Sequence, residues 1–184
     1  MKLSANLQST VVHFGEMASR WGFNRSVGQM LAVIVFTEAP LSADDTSELL
    51  GISRGNVSMA AKELQSWQLI RVHRIAGDRK DYYVPNGNIW QMAQQVLNER
   101  RKREVDPTLS LLRSQLLDGD EHESDFALSK MQEIHDLLEL FTHWLDDVQR
   151  MKPEHLQALL KLGSGVGKVL DIRDKLSRPA QEKF

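Results

Sequence analysis

No cysteine occurs among the 184 residues. Disulfides, cysteine nucleophiles and thiolate metal sites are therefore excluded, and a reducing compartment suits the chain. Long apolar runs are missing too. The longest, Met30 to Phe36, is about a third of the ~20 residues that a membrane span needs. Met1–Gln8 lacks the apolar core of a secretory signal, so a cytoplasmic location with no membrane partner is expected. Aromatic residues are scarce at 7%, yet four are tryptophan. Neither charge dominates, with a net of −2, so a nucleic-acid function would need a local basic patch. No internal repeat or low-complexity tract is visible. What remains is 41% hydrophobic and 26% charged. That is an ordinary globular balance, with room for one large domain or two small ones.

The charge is unevenly spread. Residues 50–80 hold six basic side chains (Arg54, Lys62, Arg71, Arg74, Arg79, Lys80) against Glu63 and Asp78. Residues 88–184 hold 14 basic and 17 acidic ones. A basic middle followed by an acidic half suggests two jobs.

Leu7, Val11, Phe14, Met17 or Ala18, and Trp21 recur at spacings of three and four, which predicts an amphipathic helix. Gly22–Arg25 breaks it. Ser26 is the expected cap of a second helix, apolar nearly all round and therefore buried, which Pro40 ends.

The next stretch holds two short helices. Ser42 can cap the first, with Asp44 and Asp45 in its opening turn and Leu49 and Leu50 facing inward. Gly51 can take the left-handed conformation that closes it. Ser53 caps the second, whose inner stripe is Val57, Ala60 or Ala61, and Leu64. Its outer side then presents Arg54, Asn56, Ser58, Met59 and Lys62, small, polar or basic types that suit groove edges and phosphates. This is the helix-turn-helix pattern. Downstream, residues 69–75 alternate with period two, and Asp81–Val84 can be the partner strand. The turn between them carries Arg79 and Lys80. A helix-turn-helix followed by a basic-tipped hairpin is a winged helix, whose tip can reach a DNA backbone or minor groove.

The rest reads as helical. Asn88 can cap a long helix through Met92 and Val96 into Glu99–Glu104. There Arg100–Arg103, flanked by Glu99 and Glu104, reads as a solvated helix face. Pro107 should interrupt the helix, with Leu109, Leu112 and Leu116 resuming the pattern. Asp118–Ser124 is a polar break. Beyond it, Ala127, Met131, Ile134, Leu138, Phe141, Leu145 and Val148 follow an alternating four-three spacing, a heptad seam over about three heptads. Leu137, Leu140 and Trp144 form a second stripe beside it. One helix with two apolar stripes needs two packing partners. The second is expected to be another copy of the chain, held through Met131, Ile134, Leu138, Phe141 and Leu145. Pro153 opens a last helical region containing Gly163–Gly167.

Residues 24–85 closely resemble the GbsR-type branch of the MarR-like transcriptional regulators, above all in Ile52-Ser-Arg-Gly-Asn-Val-Ser-Met-Ala60 and Gly77-Asp-Arg-Lys-Asp-Tyr-Tyr83. The resemblance implies a homodimeric winged-helix repressor. It also implies an operator of double-stranded DNA. Named members of the branch are associated with choline and glycine-betaine genes, so a related small-molecule effector is implied.

Other chemistry fits these residues less well. A Walker-type phosphate loop needs Gly where Leu162 stands and Ser or Thr where Val169 stands, so Gly163–Gly167 is read as close helix packing. Asp136, Glu139, His143 and Asp147, or His135 with Glu139, have a spacing that could hold a divalent metal, but it is also that of a solvated polar face. The solvated face is preferred, and no metal or cofactor is expected. No nucleophile motif or carboxylate pair suggests an enzyme. Trp21, Phe23, Trp67, Trp90 and Trp144 could contribute to a cage for a quaternary ammonium effector, against the alternative that they are core or interface residues.

The expected architecture is mainly α with a small β-hairpin. Residues 1–87 would form a winged helix-turn-helix DNA-binding domain. Residues 88–184 would form a helical dimerisation region able to sense an effector. The expected function is a sequence-specific, homodimeric repressor. The alternative is a winged-helix interaction module that does not read DNA.

Overall fold

The computed structural model describes residues 2–118, 123–152 and 154–163. The chain divides into two compact units, Met1–Arg103 and Glu104–Phe184.

The first unit begins with α1 (Ala5–Arg20) and α2 (Arg25–Phe36). Ser4 caps α1, accepting from the Leu7 N–H. The corner between the helices turns on Gly22, at φ +84°. Asn24, not Ser26, caps α2: its Oδ1 accepts from the Ser26 N–H at 3.1 Å. An Asx cap reaches two residues on, so it displaces the serine into the first turn. α2 stops at Phe36, four residues short of Pro40, with Thr37 already extended. α1 and α2 approach closely where Gly28 meets Phe14, Gly15 and Ala18.

A short strand β1 (Leu41–Ser42) leads into α3 (Ala43–Leu50), the turn, and α4 (Arg54–Ser66). β2 (Ile70–Arg74) and β3 (Asp81–Pro85) form the hairpin. The sheet order is β1-β3-β2, all antiparallel. Val72 faces Tyr83 across the hairpin, and Leu41 faces Tyr83 from the other side. The third strand was not expected, because two residues are too few to show alternation. The fold is therefore mainly α with a three-stranded sheet: a winged helix-turn-helix.

The core explains why α4 sits where it does. Val57, Ala60, Ala61 and Leu64 are buried together with Met30, Val33 and Ile34 of α2. Burying each large aliphatic side chain stabilises by ~1.5–3 kcal/mol. Trp67, Leu69 and Ile70 extend the cluster to the hairpin. Trp67 ends α4, and Gln68 follows in the left-handed region at φ +54°.

α5 (Ile89–Arg100) starts at Asn88 with a reciprocal cap. The Asn88 N–H donates to Gln91 Oε1 at 2.8 Å and the Gln91 N–H to Asn88 Oδ1 at 3.0 Å. Met92 joins the first unit's core and Val96 packs against it. The helix then widens into a π-helical turn, Arg101–Val105. Pro107 was expected to interrupt the helix, and the disturbance falls one turn earlier. A proline has no N–H and its ring crowds the carbonyl four residues back, here Arg103, so the widened turn accommodates it.

The second unit holds α6 (Asp106–Asp118) and α7 (Asp125–Arg150), with a further helical stretch over 154–163. α6 packs on α7, and Arg113 pairs with Glu139 at 3.4 Å. The seam expected on α7 is not one face. Met131 and Leu138 are half-buried, and Leu145 and Val148 fully so. Ile134 and Phe141 are exposed beside Leu137, Leu140 and Trp144. Pro153, 164–167 and most of the polar break after Asp118 lie outside the described residues. No helix among the described residues is long and apolar enough to cross a membrane.

Candidate nucleic-acid interface

The turn between α3 and α4 is fixed by short polar contacts. Ser42 and Asp45 cap α3 reciprocally. Ser42 Oγ accepts from the Asp45 N–H at 3.2 Å, and Asp45 Oδ2 accepts from the Ser42 N–H at 2.9 Å. The Ser42 hydroxyl also donates to Asp45 Oδ2 at 2.6 Å. These donors, the hydroxyl first, hold the Asp45 carboxyl below the usual carboxylate range. Gly51 closes α3 at φ +65°. Ser47 Oγ donates to the Ile52 carbonyl at 2.6 Å, which ties α3 to the start of α4. Ser53 Oγ then accepts from the Asn56 N–H at 3.2 Å.

Helical geometry, about 100° per residue, sets what α4 shows to solvent. Val57, Ala60, Ala61 and Leu64 turn inward. Ser58, Met59 and Lys62 lie on the opposite side, with Arg54 and Asn56 on its two flanks, and all five are exposed, as is Ser53.

The wing is organised by Asp78, whose contact across the hairpin no local sequence pattern announces. Asp78 Oδ1 accepts from the Lys80 N–H at 2.9 Å, and its Oδ2 accepts from the Tyr82 hydroxyl at 2.7 Å. The Lys80 amide first, then the Tyr82 hydroxyl, keep the Asp78 carboxyl below its ordinary value. The same contact pushes the Tyr82 phenol up. An Asx turn was visible as a possibility in Asp78-Arg79-Lys80. The tyrosine contact was not, because it spans the hairpin. Arg79 and Lys80 are exposed at this tip.

One carboxylate reaches both elements. Asp44 Oδ1 lies 2.8 Å from Arg54 Nε, and Asp44 Oδ2 lies 3.9 Å from Lys80 Nζ. The N-terminus of α4 and the wing therefore bring their cations to one place. Lys62 and Arg79 have no ion-pair partner among the described residues.

The aromatic residues divide. Phe23 and Trp67 pack with ring centroids 4.5 Å apart. Arg100 lies 5.7 Å from the centroids of both Trp21 and Phe23 and donates to the Trp21 carbonyl. Arg103 lies 4.6 Å over Trp67 and pairs with the buried Glu99 at 3.5 Å. Arg100 and Arg103 are thus not an idle solvated face. They lie against the rings that a cationic effector would need. Trp90, half-buried on α5, makes no ring contact among the described residues. Trp144 belongs to the second unit and stacks on Phe141 at 6.1 Å. A wholly apolar groove of about 610 Å³ runs between α1, α2 and α5, past Met17, Trp21, Leu31, Phe36, Met92 and Leu97.

His135, Asp136 and Glu139 bring potential ligand atoms within 4.8 Å of one another. Each acid is already engaged: Glu139 by Arg113, and Asp136 by Gln132 Nε2 at 2.7 Å.

No family model matches the chain. No curated protein matches it either. Solved structures do. A protein whose crystal structure is described as that of a transcriptional regulator is similar over 78% of this chain and 95% of its own, at 19% identity and a TM-score of 0.64. The winged-helix fold is thus shared with a known regulator. Transcriptional regulator Tm0710 from Thermotoga maritima aligns over 80% of this chain and 94% of its own, at 21% identity and a TM-score of 0.38.

Proposed function

We propose that the chain is a homodimeric transcriptional regulator that binds double-stranded DNA through α4 and the wing. In this reading α4 enters the major groove. Arg54 and Lys62 meet phosphates, and Asn56, Ser58 and Met59 face base edges or backbone. Arg79 and Lys80 reach the flanking backbone or a narrow minor groove. The single observation that supports it most is the convergence of Arg54 and Lys80 on Asp44. The shared carboxylate draws the first cation of α4 and a cation of the wing to one exposed place, where a DNA backbone could meet both. A net charge of −2 with this local basic surface fits an interaction made by position rather than by bulk attraction.

The second copy completes the reading. On α7, Leu137 and Leu140 are 65% and 69% exposed, and Ile134, Phe141 and Trp144 lie beside them. An apolar stripe on one helix of this kind suits a self-complementary interface. Two recognition helices would then address half-sites about one DNA turn, ~34–36 Å, apart. The regulator is read as a repressor released by a small molecule, on the strength of the resemblance in residues 24–85. The groove between α1, α2 and α5 suits an effector with an apolar body. A quaternary ammonium effector would have to displace Arg100 or Arg103 from the aromatic faces.

A gel shift with the DNA upstream of the protein's own gene tests the reading. A retarded band that weakens steeply with salt and is lost in Arg54→Ala/Lys62→Ala is expected. A folded protein that retards no duplex DNA, yet associates with other proteins, would replace it by the interaction-module reading.

A further inference from the structure

We propose that Asp44 is a built-in competitor for DNA phosphate, an internal anion that the DNA backbone must displace before Arg54 and Lys80 can be used. The inference rests on the DNA-binding reading above and concerns how tightly that surface holds DNA.

Asp44 is not needed to cap α3. The N-terminus of α3 is capped by Ser42 and Asp45, which satisfy each other's backbone N–H groups. Asp44 lies in the same first turn, but its carboxylate points to other elements. One oxygen takes the Arg54 Nε at 2.8 Å, the length of a charge-assisted hydrogen bond. The other faces Lys80 Nζ at 3.9 Å. Arg54 is the first residue of α4 and Lys80 stands just before β3, so a single negative charge is shared by the recognition helix and the wing.

The arrangement is built to exchange. The side chains of Arg54, Lys80 and Asp44 are 76%, 58% and 43% exposed. Pairs this open to water are weak, and salt screens them. A hollow of about 270 Å³, lined by Ser42, Ala43, Asp44, Lys80, Asp81 and Tyr83, opens at the same place. A backbone phosphodiester carries the same single negative charge and likewise offers two acceptor oxygens, so it can take over the same two cations. Lys62 and Arg79 have no acidic partner among the described residues and need no such exchange. Two of the surface's cations are thus held in reserve and two are open.

Displacement leaves a signature in salt. A cation that meets phosphate releases condensed counterions from DNA. When the phosphate displaces a carboxylate, that carboxylate takes back a counterion, and part of the release is cancelled. Removing the Asp44 charge removes the cancellation.

The test compares the full-length wild type with Asp44→Asn, Asp44→Ser and Asp44→Glu on a fluorescent duplex of random sequence. Anisotropy is followed across a salt series. Asp44→Asn and Asp44→Ser should bind about two- to tenfold tighter at ~0.1 M salt, with a salt slope steeper by about one unit. Asp44→Glu, which keeps the charge, should stay near the wild type. In Arg54→Ala, the added Asp44→Asn change should give a smaller gain. Ser is a good residue for a helix's opening turn, so Asp44→Ser keeps the test valid if Asp44→Asn folds poorly. Neutral variants that bind no tighter and keep the wild-type slope would overturn the competitor role, while Arg54-dependent binding by the wild type would leave the DNA-binding reading intact. A wild type that binds no DNA would sink both.

Discussion

The Tyr82 hydroxyl donates a 2.7 Å hydrogen bond to Asp78 and so ties the second strand of the wing to its tip. Asp78 also accepts from the Lys80 N–H. One carboxylate therefore sets the direction in which Arg79 and Lys80 leave the hairpin. Its pKa is lowered by those donors, so the ionised form is favoured in the folded wing. The contribution is present above the ordinary aspartate value, about 3.9, and is lost as pH falls through the lowered folded value. The Lys80 amide resonance should titrate with a midpoint below the ordinary value, and Tyr82→Phe should move that midpoint upward. A Lys80 amide that titrates at the ordinary value in both proteins would show that Asp78 does not shape the tip.

Gly28 marks the closest approach of α1 and α2. A Cβ added there would lie 2.4 Å from Ala18 Cβ and 2.7 Å from the Phe14 carbonyl oxygen. Backbone would have to move, because the Phe14 oxygen and Gly15 Cα, the latter at 3.1 Å, are main-chain atoms. Gly28→Val should therefore cost about 1–3 kcal/mol, the range for overpacking a core. Denaturant unfolding measures it. A variant as stable as the wild type would mean that the helices separate freely.

Gln68 occupies a left-handed conformation, φ +54°, directly after α4. Its carbonyl accepts from Asn86 Nδ2 at 2.9 Å, so the backbone cannot relax without losing that contact. A β-branched residue is badly strained at positive φ and glycine is not. Gln68→Val should lower stability by about 1–2 kcal/mol, whereas Gln68→Gly should not lower it. Thermal unfolding of the three proteins checks the order, and equal stability of the glycine and valine variants would contradict it.

On α7 the residue that tests the proposed dimer interface is Leu137 and not Leu138. Leu138 is half-buried within its own unit, so Leu138→Glu would disturb the protomer itself. Leu137 faces solvent. Leu137→Glu should leave the protomer folded and place an unpaired carboxylate in the interface, which costs several kcal/mol unless the interface opens. Light scattering should find a shift to monomer. A dimeric Leu137→Glu protein would move the interface off this face of α7.

The helix-turn-helix was legible because its signals are local. Ser42, Gly51 and Ser53 sit within a few residues of what they cap or close, and the inner stripe Val57, Ala60, Ala61, Leu64 follows one period. The exposure of Asn56, Ser58, Met59 and Lys62 follows from that stripe by geometry, whereas Arg54, three residues before Val57, is exposed at the open N-terminal end of the helix. What escaped the sequence depends on distant partners. Asp44 reads as a helix-turn acid until Lys80 folds back beside it. Arg100 and Arg103 read as solvated charges until the α1–α2 corner and Trp67 present their rings. The seam on α7 looked like one face because a four-three spacing does not say which residues a neighbouring helix covers. Met131, Leu138 and Leu145 turn inward, and Ile134 and Phe141 do not.

The central claim is that the outer face of α4 meets the DNA backbone. Its most direct test is the salt dependence of binding to one duplex from the protein's own upstream region, measured for the wild type, Arg54→Ala and Lys62→Ala. Each phosphate contact removed should weaken binding and flatten the slope, by up to about one unit. The flattening is expected in full for Lys62→Ala. It should be smaller for Arg54→Ala, whose partner Asp44 offsets part of the counterion release. Circular dichroism should show both variants folded. Two folded variants with the wild-type affinity and the wild-type slope would contradict the account and take this helix out of the interface.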